Sequence, residues 1–151
     1  MTLRPPRRTN ESGFAGGAEG LVFGLLIFVV GTLLVGNAWA VVDTKLAADA
    51  AARQAARSYV EAPDAIAAAT AAQRSADDAL AGYGRSPTRA TLVLGPSGFG
   101  RCQRVSVQVR YLAPLVELPL IGHVGGAEMI TATNSELVDP YRSGLRGTAA
   151  C

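Results

Sequence analysis

The chain has 151 residues, enough for one modest domain and an anchor. Its net charge of +2 is small and its basic residues are dispersed, which argues against a nucleic-acid partner. Two cysteines and a single histidine leave little material for metal or thiol chemistry.

The first 19 residues form a basic tail with Arg4, Arg7 and Arg8; residues 1–12 read as disordered. From Gly20 to Val42 no charged residue occurs. A bilayer core needs about 20 apolar residues, so 20–42 is long enough to span one. Three arginines precede the run, whereas Lys45 follows it between Asp43 and Asp49. By the positive-inside rule the N-terminus faces the cytoplasm and 43–151 form an extracytoplasmic domain of a single-pass cell-membrane protein.

A second reading stays open. Ala38-Trp39-Ala40 fits the form of a signal-peptidase site, so cleavage between Ala40 and Val41 would release a small secreted binding module. Against it, the apolar run exceeds the roughly 7–15 residues of a signal core, and no turn signal interrupts it. A soluble core helix fits less well, because the remaining chain is small and alanine-rich. Gly16, Gly20 and Gly24 form a small-xxx-small ladder, a spacing that lets membrane helices pack closely, although glycine is common in such helices anyway. Glu19 stands at the edge of the run, where a helix N-terminus favours a carboxylate.

No glycine or proline interrupts Ala38 to Ala62, and the residues are mostly strong helix formers. The spacing predicts that the membrane helix continues into solvent to about Ala62. That makes one helix of roughly 40 residues, with Asp49–Arg53 and Arg57–Glu61 as i,i+4 pairs. Pro63 reads as the first position of a second helix over 64–81, ended by Gly82-Tyr83-Gly84, with Ile66, Ala69, Ala76 and Leu80 on its apolar face.

After Pro87 the period becomes that of a strand. Arg89–Leu94 is a short candidate, and Gly95-Pro96-Ser97-Gly98 a turn. Arg104–Leu112 alternates well, with Val105, Val107, Val109 and Tyr111 on one face. Glu128–Val138 is a third candidate, with Met129, Thr131, Thr133, Ser135 and Leu137 sharing a face. The expected fold is α+β, two helices over one face of a three-stranded antiparallel sheet. The apolar, proline-broken loop 112–122 suits either a satellite core or contact with a membrane leaflet or partner. The tail after Tyr141 reads as irregular.

Cys102 and Cys151 are both on the expected outer side, where disulfides persist. A bridge between them would contribute about 4 kcal/mol in the chain-entropy model; free thiols or pairing to another chain are the alternatives. His123 has no companion ligand and falls in a glycine-rich loop. Asp77 and Asp78 point to different helix faces, the serines lack an elbow motif, and Pro96-Ser-Gly-Phe-Gly-Arg101 lacks the ending of a phosphate loop. No catalytic residue, metal site or cofactor is expected, and no small-molecule substrate.

The run Glu11-Ser-Gly-Phe-Ala-Gly-Gly-Ala-Glu-Gly-Leu-Val-Phe-Gly-Leu-Leu26, followed by Ala47-Ala-Asp-Ala-Ala-Ala-Arg-Gln-Ala-Ala-Arg57, resembles the TadE/TadG-like family, pilin-like proteins of tight-adherence (Tad, or Flp-type) pilus systems. The stretches Val105-Ser-Val-Gln-Val-Arg-Tyr-Leu-Ala-Pro114 and Glu136-Leu-Val-Asp-Pro-Tyr-Arg142 resemble actinobacterial members in particular. The resemblance implies a pilin-like fold and a non-enzymatic minor pilin-like protein. Its partners would be the membrane and sibling assembly subunits, and its role pilus assembly, adhesion or associated secretion. It also implies that Glu19 neutralises the free N-terminus of a neighbouring subunit after cleavage between Gly13 and Phe14. The Gly13–Glu19 spacing is one step longer than the usual pilin spacing.

Overall fold

The computed structural model describes residues 12–96, 98–114, 117–118, 122–123 and 126–151. Helix α1 spans Ser12–Glu61 and α2 spans Ala65–Gly82. After a 3-10 turn at Pro87–Arg89 come β1 (Ala90–Leu94), β2 (Arg104–Pro114), β3 (Glu117–Leu118), β4 (Gly122–His123) and β5 (Ala127–Leu137). By contacts the chain divides into two units, Met1–Gly36 and Asn37–Cys151.

Helix α1 is 50 residues long rather than roughly 40, because it begins at Ser12, within the stretch expected to be tail. Its early glycines each cost about 1 kcal/mol against alanine, yet extending an existing helix needs no new nucleation. In the first unit the large apolar side chains from Leu21 to Val30 are 45–76% exposed. The helix is long and apolar enough to cross a membrane.

In the second unit, α1 changes character. Thr44, buried, donates its hydroxyl to the carbonyl of Ala40 at 2.7 Å. Ala47, Ala48, Ala51, Ala52, Ala55 and Ala56 follow in two adjacent buried rows. Pairs at i and i+1, repeated every four residues, make a broad flat face with almost no side-chain bulk. Tyr59 closes that face, its ring edge-on to Phe99 with centroids 5.6 Å apart.

Helix α2 starts one residue later than expected. Asp64 is its N-cap, accepting from the backbone N–H groups of Ile66 and Ala67 at 2.9 Å, so Pro63 lies before the cap rather than in the first turn. At the other end Arg85 N–H reaches Leu80 O, and Gly84 N–H reaches Ala81 O, both at 2.9 Å. This is a Schellman closure, and Gly84 takes the left-handed φ of +68° that it requires. The buried row is Ala68, Ala72, Ala76 and Leu80. Ile66 is 84% exposed and Ala69 only half-buried, so two of the four expected face residues lie off the core. The i,i+4 row of alanines won over the larger isoleucine because small residues let the helices approach closely.

The sheet has the order β1-β2-β5 and is antiparallel throughout. Val105, Val107, Val109, Tyr111 and Ala113 of β2 are buried, as the alternation predicts. Ala90, Leu92 and Leu94 flank them from β1, while Ile130 and Ala132 flank them from β5. The exposed face of β5 carries Met129, Thr131, Thr133, Ser135 and Leu137. One hydrophobic cluster joins the inner sheet face to the alanine faces of both helices. His123 belongs to β4, which pairs with β3 as a separate two-stranded hairpin, rather than to a loop. Of the apolar loop, Leu112 and Ala113 belong to β2, exposed and buried respectively; the packing of the rest, and the tail residues 1–11, lie outside the described residues.

Candidate functional site

Three features could carry function: the apolar segment of α1, the stapled C-terminal tail and the flanks of the domain. On the apolar segment, Glu19, Gly20 and Gly24 are exposed. A Cβ added at Gly20, Gly24, Gly31 or Gly36 would meet nothing within 4 Å, so no contact among the described residues requires these glycines. Ile27, Phe28, Gly31, Thr32 and Val35 line a shallow depression of about 360 Å³, one to three turns beyond the Gly16/Gly20/Gly24 ladder. Gly13, Phe14 and Gly16 lie within the first two turns of α1. Ala40 and Val41 also lie inside the unbroken helix, four and three residues before Thr44, the first buried side chain among the described residues.

The tail is irregular but held at four points. Cys102 and Cys151 form a disulfide with Cα atoms 5.3 Å apart. Cys102 adopts φ +60° in a tight turn in which Gln103 N–H donates to Gly100 O. Arg101 N–H donates to Arg146 O at 2.9 Å, and Gly147, at φ +107°, lies so close to Arg101 that a Cβ would come within 3.2 Å of its carbonyl. Val138 continues the β5 ladder past its end, exchanging bonds with Gln103 O and Cys102 N–H. Finally, Arg142 donates to Val60 O at 2.5 Å and to Glu61 O at 2.9 Å, capping the last carbonyls of α1 with a cation. The cysteines were legible in the sequence as a candidate pair; the Arg142 cap was not, because it joins residues about 80 positions apart.

Charged groups follow α1 along one flank. Lys45 pairs with Asp49 at 3.2 Å and also donates to Thr131 O of β5 at 2.5 Å. Asp49 therefore takes Lys45 instead of the expected Arg53, and Arg53 is exposed with no partner among the described residues. Arg57 pairs with Glu61 at 2.9 Å as expected. Its guanidinium is held further above its ordinary range by the hydrogen bond and charge of Glu61, with a smaller contribution from Glu136. Near the start of the domain, Arg85 reaches Asp43 at 2.6 Å and ties the end of α2 to α1. From the sequence alone Asp43 is only a charge after the apolar run.

Between α1 and α2 lies an open groove of about 520 Å³, lined by Ala50, Gln54, Ser75, Asp78, Ala79, Gly82 and Tyr83. Across it Ser58 and Ser75 share a hydroxyl hydrogen bond at 2.5 Å. Among the described residues no group of three or more His, Cys, Asp or Glu is placed to hold a metal ion. Comparison with protein-family models, curated proteins and solved structures finds no match. The fold is thus that of an α+β domain whose first helix has a long apolar N-terminal part.

Proposed function

We propose that this chain is a membrane-anchored, non-enzymatic, pilin-like subunit of a tight-adherence pilus assembly or its associated secretion machinery. The observation that carries the reading is the exposure of Leu21 to Val30 on a helix that goes on to form the core of a small α+β domain. Such a surface is unfavourable in water at about 25 cal/mol per Å² of apolar area and is accommodated by lipid or by sibling helices. The basic tail stays in the cytoplasm and residues 43–151 stand outside, a placement that suits the Cys102–Cys151 bridge. Glu19, Gly20 and Gly24 meet neighbouring helices, with Glu19 positioned to pair with a neighbour's amino terminus. The test is deletion of the gene in cells that make such pili: pili, adhesion or associated secretion should be lost. Unchanged pili and secretion would sink the reading.

A second reading has one specific observation in its favour. Every buried side chain of the described residues lies at or after Thr44, so cleavage after Ala40 would leave the domain's core intact as a secreted module. The N-terminal sequence and intact mass of the mature protein separate the two. A start upstream of Gly20 supports the anchored subunit, with Phe14 marking pilin-type processing; a start at Val41 supports the secreted module.

A further inference from the structure

Three contacts fix the direction in which β5 runs along α1. Lys45 donates to Thr131 O, Arg57 feels the charge of Glu136, and Arg142 donates to Val60 O. Both elements thus run the same way, and the part of β5 before Thr131 lies toward the part of α1 before Lys45. A second tie agrees. Asp43 holds Arg85, shortly before β1 begins at Ala90, and Ala90 pairs with Tyr111. The last rungs of the β2–β5 ladder, from Tyr111–Ile130 to Pro114–Ala127, therefore occupy the end of the second unit at which α1 enters it.

On the sheet's outer face the ladder changes character at that end. Its middle rungs, Gln108–Thr133 and Arg110–Thr131, are polar, and the next is Leu112–Met129. Leu112 is 43% and Met129 53% exposed. Exposure alone does not single out this rung, because Leu137 at the other end of β5 is also exposed. Its height does. A strand advances about 3.3 Å per residue and a helix about 1.5 Å, so the step from Thr131 to Met129 matches roughly four residues of α1. The Lys45 side chain leans toward the N-terminus of its helix, which sets Thr131 no farther along than Lys45 itself. Leu112 and Met129 are then level with about residues 39–42 of α1, where Trp39, Val41 and Val42 are exposed.

We propose that this end of the sheet rests on the lipid surface from which α1 emerges, with Leu112 and Met129 entering the boundary between headgroups and acyl chains. The inference rests on the anchored-subunit reading, which ends the membrane span near Val42. Tryptophan favours that boundary, so Trp39 marks its height on α1, and the Leu112–Met129 rung stands at the same height. Arg110, exposed one rung farther from the bilayer, is placed to meet lipid phosphates. Glu128, exposed on the other face of β5, opposes deeper entry, so the contact stays at the boundary. Lipid is favoured over a protein partner because every anchored copy meets lipid at this height, whatever else it assembles with. The domain is then held against the bilayer at two places, α1 and the sheet end, instead of pivoting on α1 alone.

The test uses the full-length chain, purified from the membrane fraction and reconstituted in phosphatidylethanolamine–phosphatidylglycerol vesicles whose lipids are brominated near the top of the acyl chains. Bromine quenches nearby tryptophan, and the chain's single tryptophan, Trp39, reports the anchor in the unsubstituted protein. In a Trp39→Phe background, Met129→Trp and, separately, Leu112→Trp should be quenched several-fold more than Leu137→Trp. Leu137 lies on the same face of β5, about 26 Å farther along than Met129. Retention of the Cys102–Cys151 bridge, read from intact mass, reports folding of each variant. Where one of the two rung variants fails to fold, the other decides. Rung reporters quenched no more than Leu137→Trp overturn the proposal. Recovery of the protein only in soluble form, starting at Val41, refutes the anchor and the contact with it. Quenching of Trp39 without quenching of the rung reporters refutes the contact alone.

Discussion

Helix α1 carries two kinds of surface on one backbone. Before Gly36 its side chains are large and exposed: Leu21, Phe23, Ile27 and Phe28 are all more than 60% accessible. From Ala47 to Ala56 its core-facing side chains are methyl groups, and six alanines are buried to within 1%. The large residues offer area to a surrounding apolar medium or to another helix. The small ones bring backbones together, so their stabilisation comes from close dispersion contact over a flat face more than from area per residue. Hydrophobicity alone does not say which surface a helix will bury; residue size within the apolar class does.

The largest expected effect tests what the domain needs beyond that flat core. Cys151→Ser removes a cross-link of 49-residue separation. It should destabilise the second unit by about 4 kcal/mol in the chain-entropy model. Thermal unfolding of the full-length protein in detergent, read by circular dichroism, measures it; a shift near zero would mean that the alanine faces and the Arg142 cap suffice.

Next come paired substitutions across the two surfaces. Leu80→Ala should cost roughly 2–5 kcal/mol, because Leu80 is the largest fully buried side chain among the described residues. Leu26→Ala, on the exposed segment, should shift the same transition by less than about 0.5 kcal/mol. An equal loss at both sites would break the comparison. Ala51→Leu sharpens it, since a larger side chain in the flat face should cost about 1–3 kcal/mol by forcing α1 off the sheet. The same change at an exposed position such as Ala38 should be nearly silent.

The smallest expected effect is at the helix junction. Asp64→Ala removes the acceptor of two backbone N–H groups and should lower stability by about 1 kcal/mol. Asp64→Asn should recover most of it. Failure of that rescue, measured by the same unfolding transition, would show that Asp64 acts through its charge and not as a cap.

Much of this architecture was legible in residue order. The uncharged run from Gly20 to Val42, the alternation of Val105 to Tyr111 and the Gly82-Tyr-Gly84 stop each follow from a local period or a backbone constraint. The second helix and all three sheet strands were placed within a residue or two of where they lie, with antiparallel pairing. Less was legible where several local choices had similar cost. Lys45 and Arg53 are equivalent i,i+4 partners for Asp49, and only Thr131 O, arriving from β5, favours Lys45. Ile66 is more apolar than Ala68, yet the row that meets α1 and the sheet is the one with the smaller side chains.

The sequence by itself determined the element types, their approximate ends, the apolar segment and the two cysteines available for a bridge. Those depend on spacing along the chain, where hydrogen-bonding geometry and side-chain period act over a few residues. Tertiary structure alone decided that Arg142 caps α1, that Arg85 holds Asp43 and that Cys102 meets Cys151. Each joins groups far apart in sequence. Their partnership depends on how closely the alanine faces let the helices settle on the sheet, and no local period records that distance.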